Sequence, residues 1–169
     1  MTDDLSYTFT VSQPPAEAFA AINDPRAWWS GDIEGTTDVL GAEWSYRVPD
    51  IHLSVHRVTE LVPHRSVAWL VTDGWLSFVE DKEEWTGTTI RFDLTPTPSG
   101  GTEVRFTHLG LRPRAECYGV CRVAWGEYVL GSLKGLIESG AGRPDSYGEG
   151  KLDDAKERAA QLDAGSAIA

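Results

Sequence analysis

The sequence predicts an α+β fold: a curved antiparallel β-sheet wrapped around a long C-terminal α-helix, with two short helices after the first strand. Three observations carry that prediction. Between residues 5 and 108, apolar and polar residues alternate in a series of short segments, the period of half-buried strands. After Pro113 the apolar period lengthens to that of a helix. Seven tryptophans, at 28, 29, 44, 69, 75, 85 and 125, supply enough flat aromatic surface to wall a hollow as readily as to fill a core.

Each element has its own signal. Leu5, Tyr7, Phe9 and Val11 alternate with Ser6, Thr8 and Thr10 as a first strand. Pro14-Pro15 starts a helix, with Ser12 or Gln13 near its cap and Phe19, Ala20 and Ile22 on its apolar face. Pro25 opens a second short turn carrying Trp28 and Trp29. Ile33 to Val39 is a weak strand. Trp44, Tyr46 and Val48 form a clear one. Leu53 and Val55 alternate with His52, Ser54 and His56, which places the histidines on the solvent side. The apolar phase shifts at Val58, so a β-bulge or bend is expected beyond Arg57. Pro63-His64-Arg65 makes a turn into the strand of Val67, Trp69 and Val71. Asp73 to Glu84 combines the acids Glu80, Asp81, Glu83 and Glu84 with Trp75, Leu76 and Phe78, and reads as a long loop or short helix over a cavity mouth. Ile90, Phe92 and Leu94, then Val104, Phe106 and His108, form a hairpin around the turn at 96–101. The helical stripe runs Cys117, Val120, Cys121, Ala124, Trp125, Tyr128, Leu133, Leu136 and Ile137. Glycines at 119, 126, 131 and 135 along it let sheet or ligand approach the backbone, and Gly140, Gly142 and Pro144 close it.

Composition bounds what such a domain does. The 169 residues fit one domain, placed at 1–144, with residues 145–169 a charged tail that is a marginal helix or disordered. A net charge of −11 repels nucleic acid over most approaches. No apolar run is long enough to span a bilayer, and the acidic N-terminus lacks the basic start of a secretory signal, so a cytoplasmic location is expected. No phosphate-cradling loop, nucleophile elbow or zinc-protease motif is present, and no cofactor is expected.

With this order of elements, particular segments carry a resemblance: AWWSGDIEG (27–35), LGAEWSYRV (40–48), VTELVPHRSVAWLV (58–71), GTTIRFDL (87–94), GGTEVRFTHLGL (100–111) and ECYGVCRVAWGEYVLGSLKGLIESGAGRP (116–144). Val58, Glu60 and Pro63 form its turn signature, followed by the Gly-Gly-Thr strand ending in Thr107-His108 and the tryptophan-bearing last helix. The chain resembles the START-like, Bet v 1-like (SRPBCC) superfamily, and within it the family named after the activator homologue of the heat-shock chaperone ATPase. The resemblance implies a helix-grip fold with a cavity between sheet and long helix. It also implies a choice of functions, since such families include ligand carriers, chaperone activators, stress or resistance proteins and, more distantly, cyclases. A counterpart of the separate N-terminal domain of full chaperone activators is not expected here.

Candidate site residues follow from parity and position. His108 shares a face with Val104 and Phe106 and points inward, either to a ligand or to a core hydroxyl or carbonyl. Phe92, Phe106 and Trp125 are expected to wall the cavity, with His108 and Tyr46 as polar anchors and Cys117 and Cys121 as soft apolar surface. Trp28, Trp29 and Trp75 are placed at its mouth, and Trp44 and Trp69 in the core. The two cysteines read as reduced buried thiols rather than metal ligands, because they lie four residues apart and no further ligand accompanies them. His52 and His56 lie about 13 Å apart along a strand, too far for one metal. The leading function is binding of a hydrophobic or aromatic small molecule. The alternatives are a module regulating a heat-shock chaperone ATPase and a small cyclase- or hydrolase-like enzyme using His108, although no catalytic nucleophile or partnered base is evident.

Overall fold

The computed structural model describes residues 3–168. Seven strands form one antiparallel sheet in the order β1-β7-β6-β5-β4-β3-β2. They are β1 (Leu5–Val11), β2 (Ile33–Gly35), β3 (Glu43–Val48), β4 (His52–Val62), β5 (Ser66–Leu76), β6 (Thr89–Pro96) and β7 (Thr102–Leu109). Helices α1 (Pro15–Ile22) and α2 (Pro25–Trp28) carry the chain from the β1 edge to the β2 edge. After β7 come α3 (Tyr118–Gly126), a π-helical segment (Glu127–Leu133) and α4 (Lys134–Ser139) in unbroken succession, and then α5 (Leu152–Ile168). This is the predicted α+β helix-grip arrangement.

The last long helix explains its own irregularity. One row of its buried positions, Cys117, Cys121, Trp125, Val129, Leu133 and Ile137, recurs every four residues. A strict four-residue repeat advances about 40° per step around a helix of 3.6 residues per turn, so the stripe would wind off the sheet. The wider π-helical turns at 127–133 take up that drift and keep the stripe on the core. Gly126 lets the sheet approach: a Cβ there would lie 3.1 Å from the Tyr7 hydroxyl, which donates to the Arg122 carbonyl at 2.7 Å.

Register on β4–β5 sets the curvature. The pairing breaks between Val55 and His56, where Thr72 is the extra residue on β5, and between Val58 and Glu60, where Thr59 is the extra residue on β4. The second break is the predicted bulge beyond Arg57, and both bend the sheet about the helix.

Several expectations are corrected here. Asp73 to Leu76 continue β5 rather than entering a loop, and only the stretch from Ser77 to Thr88 arches away from the sheet. Trp75 therefore sits on the outer face, 40 % exposed, opposite an equally exposed Leu53 on β4. The faces of β4 are the reverse of those predicted. His56 and Ser54 are fully buried and His52 half-buried, while Leu53 points outward. Alternation shows which residues share a face, but the side that is covered is decided by what packs on it, here the rings of Trp44 and Trp29 against His56. The strand of Ile33 is three residues long, and α1 is preceded by Pro14 rather than by a side-chain cap from Ser12 or Gln13. In the tail, where a marginal helix or disorder is expected, helix α5 lays Ala155 and Ala159 against Val123 of α3.

Candidate functional site

The aromatic interior is solid at the α1–α2 end. Trp28, Trp69, Phe92 and Phe106 are 0 % exposed and Trp29 and Trp44 only 2 %. Trp28 stacks on Trp69 at 6.5 Å, Trp69 meets Trp44 edge-on at 4.9 Å, and Phe92 lies 5.4 Å from Phe106. At the opposite end the packing leaves a cavity of about 60 Å³ between β3–β4, the 77–88 arch, α3 and the start of α5. The sheet contributes Tyr46, Val48, Ile51 and His52, and the turn after α2 contributes Trp29. Phe78 and Trp85 come from the arch. The long helix adds Val120, Cys121, Ala124, Trp125 and Tyr128, and the C-terminal segment adds Tyr147, Gly148, Lys151, Leu152 and Ala155.

Rings hold the walls in place. Tyr46 stacks on Trp29 at 4.4 Å, and the His52 imidazole stands edge-on to Tyr46 at 4.8 Å and to Trp85 at 4.5 Å. Trp85 lies parallel to Trp125 at 6.0 Å. Polar groups run along one side. The Tyr46 and Tyr128 side chains both line this side of the cavity, and the backbone N–H of Tyr147 donates to the Tyr128 hydroxyl at 2.9 Å. Burial raises the pKa of both phenols, so they remain protonated hydrogen-bonding groups. His52 shares a hydrogen bond with Ser54 Oγ at 3.0 Å, and burial pushes its pKa down to about 3, leaving the ring neutral. The cavity thus offers π faces, hydroxyls and a neutral imidazole.

Two carboxylates clip the arch to the helix that it faces. Glu84 accepts from the backbone N–H groups of Glu116 (3.0 Å) and Cys117 (2.6 Å), at the start of α3. Glu116 returns the bond, accepting from the N–H groups of Glu80 and Asp81 at 2.9 Å each, and those bonds lower its pKa. Acidic residues at a helix N-terminus also meet a favourable dipole. The C-terminal segment is tied down as firmly. The Asp145 carboxylate accepts from Ser30 Oγ (2.6 Å) and the Gly31 N–H (3.1 Å), and Ser132 Oγ donates to the Trp28 carbonyl (2.7 Å) while accepting from the Arg143 N–H (2.6 Å).

The comparisons with known proteins agree with this architecture. The family described as "Activator of Hsp90 ATPase homolog 1-like protein" matches residues 12–138. The chain belongs to that family. Among solved structures it is similar to the Aha1 dimer from Colwellia psychrerythraea, with 27% identity, a TM-score of 0.66, and coverage of 84% of this chain and 100% of the other. It is also similar in fold to protein MLL2253 from Mesorhizobium loti (20% identity, TM-score 0.63, 79% and 95% covered) and to CalU16 from Micromonospora echinospora (14% identity, TM-score 0.59, 94% and 85% covered). No curated protein matches. Helix α5 lies beyond the stretch matched by the Activator of Hsp90 ATPase homolog 1-like family.

Within this family member, the residues singled out from sequence divide in two. Trp29, Tyr46, Cys121 and Trp125 line the cavity. Trp28, Phe92 and Phe106 are packed in the solid core, and Trp75 lies outside on the sheet. His108 points inward but is used internally. Trp125 Nε1–H donates to its Nδ1 at 3.2 Å, which places the proton on Nε2, 2.8 Å from Thr88 Oγ1. That hydroxyl donates to the Trp85 carbonyl at 2.6 Å. The chain of bonds locks helix, sheet and arch together, and burial pushes the His108 pKa down to about 3. Cys117 is buried behind the wall. Hydrogen bonding to Cys121, then burial, raises its thiol pKa, and neither cysteine is in a disulfide. Among the described residues no group of three or more His, Cys, Asp or Glu side chains gathers as a metal site requires, and no helix is long and apolar enough to cross a membrane.

Sequence reasoning missed His52, Trp85, Tyr147 and Lys151. His52 was hidden by the inverted face of β4, and Trp85 by its place in an irregular arch. Tyr147 and Lys151 lie in the tail ahead of its weakly helical stretch, where no periodic signal marks a buried face.

Proposed function

We propose that this protein binds a small hydrophobic or aromatic molecule in the cavity between its sheet and its C-terminal helix. The observation that carries the reading is the contrast inside one aromatic interior: filled at one end, open at the other, and open where hydroxyls and an imidazole join the rings. Ligand sites are mostly apolar with a few convergent polar groups, which is the composition of this wall. Its volume of about 60 Å³ is far below the roughly 300–1,000 Å³ of pockets that hold drug-sized ligands. A ligand larger than a few atoms therefore enters by displacing part of the wall. Helix α5 offers the smallest anchors: among its described side chains the buried ones are the alanines 155 and 159, and Leu162 is 49 % exposed.

Three wall tryptophans make the test direct. Titration with aromatic and acyl compounds, followed by tryptophan fluorescence and native mass spectrometry, is expected to give saturable quenching with one ligand per chain. Ala124→Phe, which fills the cavity, is expected to abolish the quenching while leaving the circular dichroism unchanged. A library without any binder, or binding indifferent to Ala124→Phe, would sink the reading.

The family and the outer sheet face favour a second reading, regulation of a heat-shock chaperone ATPase. Trp75 and Leu53 form an exposed cross-strand apolar pair that the cavity does not explain. A change in chaperone ATPase rate that is lost in Trp75→Ser supports this reading, and an unchanged rate removes it. The third possibility, an enzyme using His108, finds no support in the geometry, because both ring nitrogens are committed within the protein.

A further inference from the structure

We infer that the molecule taken by this cavity is an amphipathic anion, an aromatic or aliphatic body ending in a carboxylate, with the carboxylate held at the mouth by Lys151. The inference rests on the cavity-binding reading above and adds the class of ligand. The chain carries 26 acidic side chains against 15 basic ones, yet the cavity wall holds no carboxylate. Its single formally charged group is the Lys151 ammonium, on an exposed residue just before α5. Among the described residues no ion pair engages that ammonium, whereas the nearby Arg143 is paired with Glu127 at 2.8 Å and Arg158 with Asp154 at 3.3 Å.

Position strengthens the argument. Lys151 and Tyr147 belong both to the cavity and to an adjoining surface groove that also contains Arg143 and Arg158. The mouth therefore opens onto three cations, two with carboxylate partners and one without. The interior is neutral, because His52 is uncharged and the tyrosines are protonated there, so a charged ligand group has no counter-charge deeper in. An anion left at the mouth remains solvated and meets Lys151. A cationic ligand would find aromatic faces inside but no carboxylate, with Lys151 repelling it at the entrance.

The experiment compares three probes of similar shape on the full chain: 3-phenylpropanoate, 3-phenylpropanamide and benzyltrimethylammonium. Affinities are read by tryptophan fluorescence at low and at high salt. An exposed lysine–carboxylate pair is worth about 0.2–1 kcal/mol, so the carboxylate is expected to bind roughly 1.4- to fivefold more tightly than the amide. High salt and Lys151→Gln should each shrink that ratio towards one, and Lys151→Glu should invert it. An amide that equals the carboxylate in the wild-type chain, or an ammonium probe that binds best, overturns the anion assignment while leaving cavity binding intact. Failure of all three probes to bind overturns both.

Discussion

The two ends of the interior use the same aromatic residues to opposite effect. At the α1–α2 end, indole and phenyl rings from Trp28, Trp44, Trp69 and Phe92 interlock behind Ala18 and Ile22, and no space is left. At the α5 end, Trp85, Trp125 and Tyr46 stand around a gap covered by Ala155, by the half-buried Leu152 and by an arch clipped through backbone hydrogen bonds. The rings are comparable; the covers differ. A helix that inserts large side chains closes a core, and one that offers alanines leaves room. Close contact with α5 is built from small groups, since a Cβ on Gly119 would lie 3.2 Å from the Ala159 methyl.

Acid should break the comparison most strongly, because it acts on both ends. His52 and His108 have pKa values of about 3 in the folded chain, against an ordinary 6.5 when unfolded, and His56 is shifted in the same direction. The unfolded chain therefore binds more protons between pH 6.5 and 3. Stability is retained above pH 6.5 and falls as pH drops through that window, by roughly 1.4 kcal/mol per pH unit for each buried histidine. Urea unfolding at a series of pH values measures the slope. His56 stacks on Trp44 at 4.2 Å, and neither ring nitrogen has a well-placed hydrogen-bond partner among the described residues. His56→Leu should therefore lower the slope by about one proton, and an unchanged slope would remove His56 from this account.

Deletions at the two ends come next. Trp69→Ala, at the filled end, should cost about 3–5 kcal/mol, as large aromatic truncations in well-packed cores do. Glu84→Ala, at the open end, removes the clamp on the start of α3 and should cost about 0.5–2 kcal/mol while speeding amide exchange in residues 77–88. Equal losses from the two variants would contradict the contrast between a packed end and a covered one. Trp75→Ser should be the mildest, changing stability by no more than about 0.5 kcal/mol, because its ring lies on the outer face of the sheet.

Legibility from sequence was mixed at both ends. At the solid end Trp44 sits on the cleanly alternating β3, and Trp69 shares the larger face of β5 with Val67 and Val71, but Trp28, Phe92 and Phe106 are packed in the core rather than at the mouth or wall. At the open end the sequence singled out Trp29, Tyr46, Cys121 and Trp125, which line the cavity, but not its histidine. His52 lies on a strand whose outward residues, Leu53 and Val55, are more apolar than its inward ones, so hydrophobicity pointed to the wrong side. His108 shows a different limit. Parity correctly turned it inward, but only the positions of Trp125 and Thr88 show that its two nitrogens are already engaged.

By itself the sequence determined the α+β class, the order of strands and helices and the bulge on β4, because these depend on local periodicity and turn chemistry, and it carried the family in the likeness of particular segments. The tertiary structure alone decided which face of β4 is covered, which tryptophans are core and which are wall, and that a tail with little pattern brings Lys151 to the cavity. Those features depend on contacts between segments far apart in the chain, such as Tyr147 with Tyr128 and Asp145 with Ser30, and no local periodicity encodes them.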